Sequence, residues 1–297
     1  MVNPAKYASS NGIQKHSASI VIKEFAKDLK SMSGTCMDIG CGPGDITSNM
    51  LLPSLDSNAV MIGTDINVTM IEYATETYYH DTRIKFEVLD IQTKNLSEKF
   101  ISKFNHIFSF HTLHWCNNIR KAFENMYRML QSGGTIFVVF VAHDSIYYVL
   151  KNIAQDSRFA PYLQYLFVFV RNFLIKILII TFSQSLNKYI SPFYNSVLPN
   201  EDLKDLLESV GFNVQHCSLR ETDFSEINTD TFLSSIMSIC SFLDAMPPTR
   251  KEEFIVEFGR KYKNYKSKLH CGNKHDGKEA SINTHKFLVA YAEKDAQ

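Results

Sequence analysis

The 297-residue sequence predicts an α/β fold: an open, parallel sheet with helices on both faces and a helical lid or cap over its carboxyl edge. Three observations carry this. Short apolar, β-branched runs alternate with helix-period segments through the first half of the chain, which is the pattern of strands joined by helical crossovers. The first of these runs ends in a glycine-rich turn, "DIGCGPGD", Asp38 to Asp45. The second half then inserts aromatic-rich helical segments between the last strands.

Taken in order, strands are predicted at Thr35–Ile39, Val60–Asp65, Ile84–Leu89, Asn105–Phe110 and Thr135–Val141. Between them, "NVTMIEYATETYY" reads as a helix with Asn67 as its N-cap. "NIRKAFENMYRMLQSGG" reads as a second helix, stopped by Gly133 and Gly134. "PNEDLKDLLESVGFNVQHCSL" reads as helix, stop at Gly211 and strand, and "HKFLVAYAEK" supplies the final strand. The expected organisation is one domain over 1–297. Its core lies at about 30–142, 200–220 and 284–297, and its helical lid or cap at about 143–199 and 221–283.

Composition excludes several classes. Lys+Arg and Asp+Glu each total 31, so no global basic surface exists to hold nucleic acid, and none is expected as a partner. A 45% hydrophobic, 12% aromatic chain has ample material for a large core. Cys36, Cys41, Cys116, Cys217, Cys240 and Cys271 show no C-x-x-C pair or regular spacing, so neither a zinc site nor a disulfide framework is expected. "LHCGNKH", with His270, Cys271 and His275, matches no metal template, and no metal is expected. Met1–Ser17 lacks the apolar segment of a secretory signal, and a cytoplasmic protein is expected. Tyr162–Phe182 is as long as a bilayer span, but Gln164, Arg171, Asn172 and Lys176 interrupt it. Two charges near the middle of a span cost about 2.5–3.5 kcal/mol each. A buried or membrane-grazing helix is therefore expected instead.

The glycine turn places side-chain-free backbone at the carboxyl edge of the first strand, where nucleotide-like ligands bind in open α/β sheets. A dinucleotide site favours G-x-G-x-x-G, with a pyrophosphate on the helix N-terminus. Here Asp38 precedes Gly40, Cys41, Gly42 and Gly44, an acid-x-Gly-x-Gly-x-Gly arrangement that sets a carboxylate where a ligand's ammonium or a bridging water can be met. This resembles motif I of the class I methyltransferases, whose Rossmann-like sheet binds S-adenosylmethionine. The resemblance implies that cofactor. Asp65 ends the second strand and can accept both ribose hydroxyls, since an ionised carboxylate offers two acceptor oxygens. Asp90, after the third strand, is expected at the adenine amino group, with Ile66 and Ile91 as apolar plates. His111, after the fourth strand, completes the expected cofactor set.

"FSFHTLHWCNN" holds Trp115, the chain's single tryptophan, among polar residues at a strand end. Together with "DIGCGPGD", "GTDIN", "VLDI", Gln14, "APYL", "ISPFY", "LLESVGF" and "FLVAYAEK", it resembles the arthropod juvenile hormone acid O-methyltransferases. Trans-aconitate and plant carboxyl methyltransferases are more distant. The resemblance implies that Gln14 and Trp115 hold a substrate carboxylate, with His114 beside them. Physically, an amide and an indole N–H are donors suited to fixing one carboxylate oxygen. A carboxylic acid is already ionised at neutral pH, so no catalytic base is required. The implied substrate is a lipophilic acid of the farnesoic or juvenile hormone acid type, placing the enzyme in juvenile hormone biosynthesis. Tyr147, Tyr148, Phe159, Tyr162, Phe193, Tyr194, Phe232, Phe242 and Met246 are candidates to enclose its tail. A small polar acid of the trans-aconitate type is the alternative, and would need several cationic side chains in the pocket. A non-catalytic protein of the same fold, binding cofactor or hydrophobic ligand, is another. A homodimer is compatible with the sequence. About twenty apolar residues after Gln164, around 165–183, depart from the family pattern as a lid helix, a membrane contact or a gene-model artefact.

Overall fold

The computed structural model describes residues 3–163, 191–223, 232–235, 237, 240–272 and 284–295. Three helices open the chain: α1 (Pro4–Ser10), α2 (Gly12–Glu24) and α3 (Ala26–Ser31). On α2 the buried residues are Ile13, Gln14, Ser17, Ala18, Val21 and Ile22, the 3.6-residue spacing of one helix face. Gln14 is the polar member of an otherwise apolar or small stripe.

Strands β1 (Thr35–Ile39), β2 (Val60–Asp65), β3 (Ile84–Val88), β4 (Phe104–Phe110), β5 (Leu130–Asp144), β6 (Phe212–Asp223) and β7 (Thr284–Lys294) form one sheet in the order β3-β2-β1-β4-β5-β7-β6. The first five are parallel, and β7 runs antiparallel between β5 and β6. Winding proceeds from β1 outward to β3 and resumes on the other side at β4. The carboxyl ends of β1 and β4 therefore part to leave a crevice, the place where such sheets bind ligands.

Residues on the central strands alternate between two apolar layers, as the pleat requires. Met37, Ile107, Val138 and Phe140 pack on one face, and Cys36, Phe108, Phe137 and Val139 on the other. The remaining helices are α4 (Val68–Thr77), α5 (Ile119–Met129), α6 (Ser145–Ile153), α7 (Ala160–Leu163), α8 (Pro199–Val210) and α9 (Pro248–Gly272). Asn67 caps α4 by accepting from the Thr69 N–H at 3.0 Å. Gly211 closes α8 with φ of 114°.

The expected end of the α5 helix is corrected. It stops at Met129, and Leu130–Gly134 begin β5. Leu130 pairs with Phe104 of β4, and strand pairing there outweighs the local glycine signal. A separate apolar cluster joins α6, α7 and α9 through Ile146, Val149, Phe159, Phe254, Phe258 and Tyr262. No helix among the described residues is long and apolar enough to cross a membrane. The apolar segment around 165–183 lies outside the described residues.

Candidate active site

The turn after β1 is built on three left-handed glycines, Gly40 (φ +75°), Gly42 (φ +56°) and Gly44 (φ +84°). Their reasons differ. A Cβ on Gly40 would lie 1.9 Å from Thr112 Oγ1, and that hydroxyl donates to the Gly40 carbonyl at 3.0 Å. Gly40 thus lets the β1 and β4 loops close on each other. A Cβ on Gly44 would meet the Phe86 ring at 2.9 Å. At Gly42 the nearest atom would be Tyr7 Cε1 at 3.7 Å, so this backbone borders open space.

Asp38, within β1, is buried. Its Oδ2 accepts from the Thr47 hydroxyl at 2.6 Å, while Oδ1 is buried with no partner. Burial pushes this carboxyl up to about 7, against the Thr47 hydrogen bond and with a smaller contribution from Asp65. Asp65, the last residue of β2, accepts from the Gly42 N–H at 3.0 Å and the Asn67 N–H at 2.8 Å. Burial raises its carboxyl from the ordinary value, and those N–H groups oppose the rise. Each oxygen retains a lone pair for a further donor. Beside it Ile66 is 64% exposed, an apolar side chain held out at the mouth of the crevice.

At the end of β4 the chain turns sharply. His111 takes φ of +55° while its N–H donates to the Val139 carbonyl at 2.7 Å, and Leu113–Trp115 form one 3-10 turn. His111 and His114 are buried. Burial holds His111 down at about 3 and His114 well below the usual histidine range, so both rings are neutral at physiological pH. His111 Nε2, His114 Nδ1 and Gln14 Oε1 are all buried without a partner. The His114 and Trp115 rings are 4.7 Å apart.

One cavity of about 310 Å³ gathers Gln14, Asp38, Gly40, Cys41, Gly42, Asp65, Ile66, His111, His114 and Trp115. Among the expected site residues, Gly44, Asp90 and Ile91 do not line it. Gly44 packs behind the turn. Asp90 is exposed, past the end of β3, and accepts from the Gln92 N–H at 2.9 Å. Ile91 is buried in the core layer between sheet and helices. The apolar side chains that flank Asp65 in the cavity wall are instead Ile66 and Met70.

The wall also contains residues to which the sequence reading assigned no role: Tyr7, Asn11, Asp45, Thr112, Asp144 and His285. Asp45 stands inside the quoted glycine motif and was the legible one. Asp144 and His285 meet at 2.8 Å because β5 and β7 pair antiparallel, which no local pattern announces. The wall also holds an apolar set, Ile13, Phe110, Val141, Ile146, Tyr147 and Leu150. Of the aromatic tail candidates Tyr147 lines the cavity. Phe159, Phe232, Phe242 and Met246 instead fill the core of the α6–α9 cluster. No Lys or Arg is among the described residues of the wall.

A family model for a methyltransferase domain matches residues 37–138. Juvenile hormone acid O-methyltransferase of Drosophila melanogaster is 30% identical over 256 residues, covering 85% of this chain and 80% of that protein. The protein of the same name from Bombyx mori is 25% identical over 297 residues, covering 99% and 98%. Among solved structures, Haemonchus contortus phosphoethanolamine N-methyltransferase 2, in complex with phosphomonomethylethanolamine and S-adenosylhomocysteine, superposes with a TM-score of 0.50 at 15% identity. The match covers 93% of this chain and 52% of that longer one, a likeness of fold alone.

Proposed function

Because the chain belongs to the juvenile hormone acid O-methyltransferase family, a group of S-adenosylmethionine-dependent carboxyl methyltransferases, we propose that it esterifies a lipophilic monocarboxylic acid of the farnesoic or juvenile hormone acid type. One observation carries the reading. A single cavity is lined by the Asp38 glycine turn, by Gln14, His114 and Trp115, and by apolar side chains including Ile13, Val141, Ile146 and Leu150, with no Lys or Arg among the described wall residues. A small polyacid needs several cations, and a long apolar tail needs the wall that is present.

The cavity's own groups suit the cofactor, which supplies a methyl group on a sulfonium when bound. Asp38 Oδ1 is a buried acceptor in need of a cationic donor, the place for the methionine ammonium. Asp65 receives the ribose hydroxyls. Ile66 and Met70 cover the adenine ring, and Gly42 gives the backbone room to approach. On the acceptor side, Gln14 is not tied by its Oε1 to any protein group, so its amide can turn about its last torsion to present N–H to a carboxylate. Trp115 offers a second N–H. His111 and His114, kept neutral by burial, orient the acid without removing a proton, since none has to be removed. Aligning the oxygen then supplies much of the rate, because positioning alone is worth about 7–11 kcal/mol in favourable cases. We assign the lid at about 143–199 and 221–283 to the described helices of these ranges, α6, α7 and α9.

Incubation with labelled S-adenosylmethionine and a panel of acids tests the reading. Farnesoic acid should give its methyl ester, and trans-aconitate should react far more slowly. Trp115→Phe should lower turnover while leaving S-adenosylhomocysteine affinity near wild type. Cofactor binding without esterification of any lipophilic acid would refute the substrate assignment.

A further inference from the structure

We propose that Asn11 is a further cofactor-binding residue, oriented for that task by Asp45. The inference rests on the reading of the cavity as the S-adenosylmethionine site.

Asn11 occupies the N-cap position of α2, yet its side chain makes no capping hydrogen bond, the usual work of an asparagine there. It is 1% exposed and lies in the cavity wall. Its Nδ2 donates to both oxygens of Asp45, at 2.9 and 3.2 Å. This fixes which way the amide faces, and the group left over is Oδ1, buried without a partner. A buried carbonyl oxygen that gives up both water and its capping bond carries a free-energy cost unless a donor arrives. The cofactor has donors of the required class, a cationic ammonium and ribose hydroxyls.

Asp45 is built to hold this arrangement. It follows Gly44 in the glycine turn, is buried, and also accepts from the Ile46 N–H at 3.1 Å and the Lys15 ammonium at 2.7 Å. Lys15 in turn donates to the Ala8 carbonyl at 2.9 Å. One carboxylate thus fastens α1 and α2 to the cofactor turn. Gln14 lies three residues beyond Asn11, one helical turn along. A donor received at Asn11 therefore also seats the helix that presents Gln14 to the acceptor, and Asp45 acts through Asn11 as a positioning residue.

Calorimetric titration of the full chain with S-adenosylhomocysteine, alongside hydrogen exchange over residues 4–24, tests this. Asn11→Ala should bind roughly tenfold more weakly, with thermal unfolding of the free protein verifying that it is folded. Should that variant not fold, Asn11→Ser, which keeps a donor for Asp45, serves for the same comparison. Ligand should slow exchange of α1 and α2 in the wild type and do so less in Asn11→Ala and Asp45→Asn. 5′-Methylthioadenosine, which lacks the amino-acid part, separates the donors. Unchanged affinity for it in Asn11→Ala assigns the contact to the ammonium, and a parallel loss assigns it to a ribose hydroxyl. Folded variants that bind S-adenosylhomocysteine with wild-type affinity and protection overturn this inference alone. A wild-type protein that does not bind it overturns the cofactor reading as well.

Discussion

Asp38 makes cofactor affinity steeply pH-dependent just below neutrality. In the free protein its carboxyl titrates at about 7 because it is buried. A cofactor ammonium beside Oδ1 favours the ionised form and draws the group back toward the ordinary carboxylate range. Binding below neutrality therefore releases a proton, and acidification weakens it. With a free value near 7, the association constant falls about 25-fold between pH 7.5 and 5.5. The neighbouring His111, held at about 3, and His114, lower still than the usual range, stay neutral throughout that window. Calorimetry with S-adenosylhomocysteine in buffers of different ionisation enthalpy gives both the affinity and the proton count. Asp38→Asn, which still accepts from Thr47, should bind weakly at pH 7.5 and show a flat profile. A wild-type profile as flat as the variant's would remove the ammonium from Asp38.

The glycine turn should separate folding from binding. Gly40→Ala, with a 1.9 Å clash against Thr112 and φ of +75°, should cost about 2–5 kcal/mol in urea unfolding. Gly42→Ala meets nothing closer than 3.7 Å, so only the left-handed backbone is penalised, by about 1–2 kcal/mol. Its methyl fills the cofactor's approach, and S-adenosylhomocysteine affinity should drop more than tenfold. Equal affinity in Gly42→Ala and wild type would contradict the cradle. His111 bears on stability. The unfolded chain takes up a proton on this residue below about pH 6.5 that the folded protein refuses until about 3, so its stabilising contribution is present above 6.5 and is lost as pH falls. His111→Asn, whose side chain tolerates the φ of +55°, should lose less stability between pH 6.5 and 4.5, by as much as about 2–3 kcal/mol. Parallel losses in variant and wild type would place His111 in contact with water.

The parallel half of the sheet was legible because β1, β2, β4 and the middle of β5 are covered on both faces and are correspondingly rich in apolar residues. The ends of β5 were not. Leu130 pairs with Phe104 of β4 ahead of a register shift before Thr135, and His143 and Asp144 continue the pairing with β7 past a second shift, where the partner strand decides. The strand-end acids show how fine the limit is. Asp38 and Asp65 lie inside their strands, and the parallel register aligns them on one edge with Gly63 and Val88. Strand β3 stops at Val88, so Asp90 stands two residues past it, exposed, with its Oδ1 accepting from the Gln92 N–H. Two residues of strand length decide whether a carboxylate reaches the crevice. Composition does not record them. The Asp144–His285 pair spans 141 positions and follows from the antiparallel pairing of β5 and β7.

Charge balance in the wall bears directly on substrate class. Asp38, Asp45, Asp65 and Asp144 all line the cavity. Lys15 answers Asp45, and His285 lies against Asp144. On the proposed function, Asp38 Oδ1 and the spare lone pairs of Asp65 receive the cofactor's donors. An acid substrate entering this site meets no Lys or Arg among the described wall residues, and the groups proposed to orient it, Gln14, His111, His114 and Trp115, are uncharged. Neutral donors can orient one carboxylate, because its charge is met by the sulfonium beside it. A second carboxylate on the same molecule has no such counterpart, and leaving one ion uncompensated in a buried site costs several kcal/mol. On the proposed function, selectivity for a single acid group on an apolar body would follow from the cations that the described wall lacks, as much as from the apolar surface it provides.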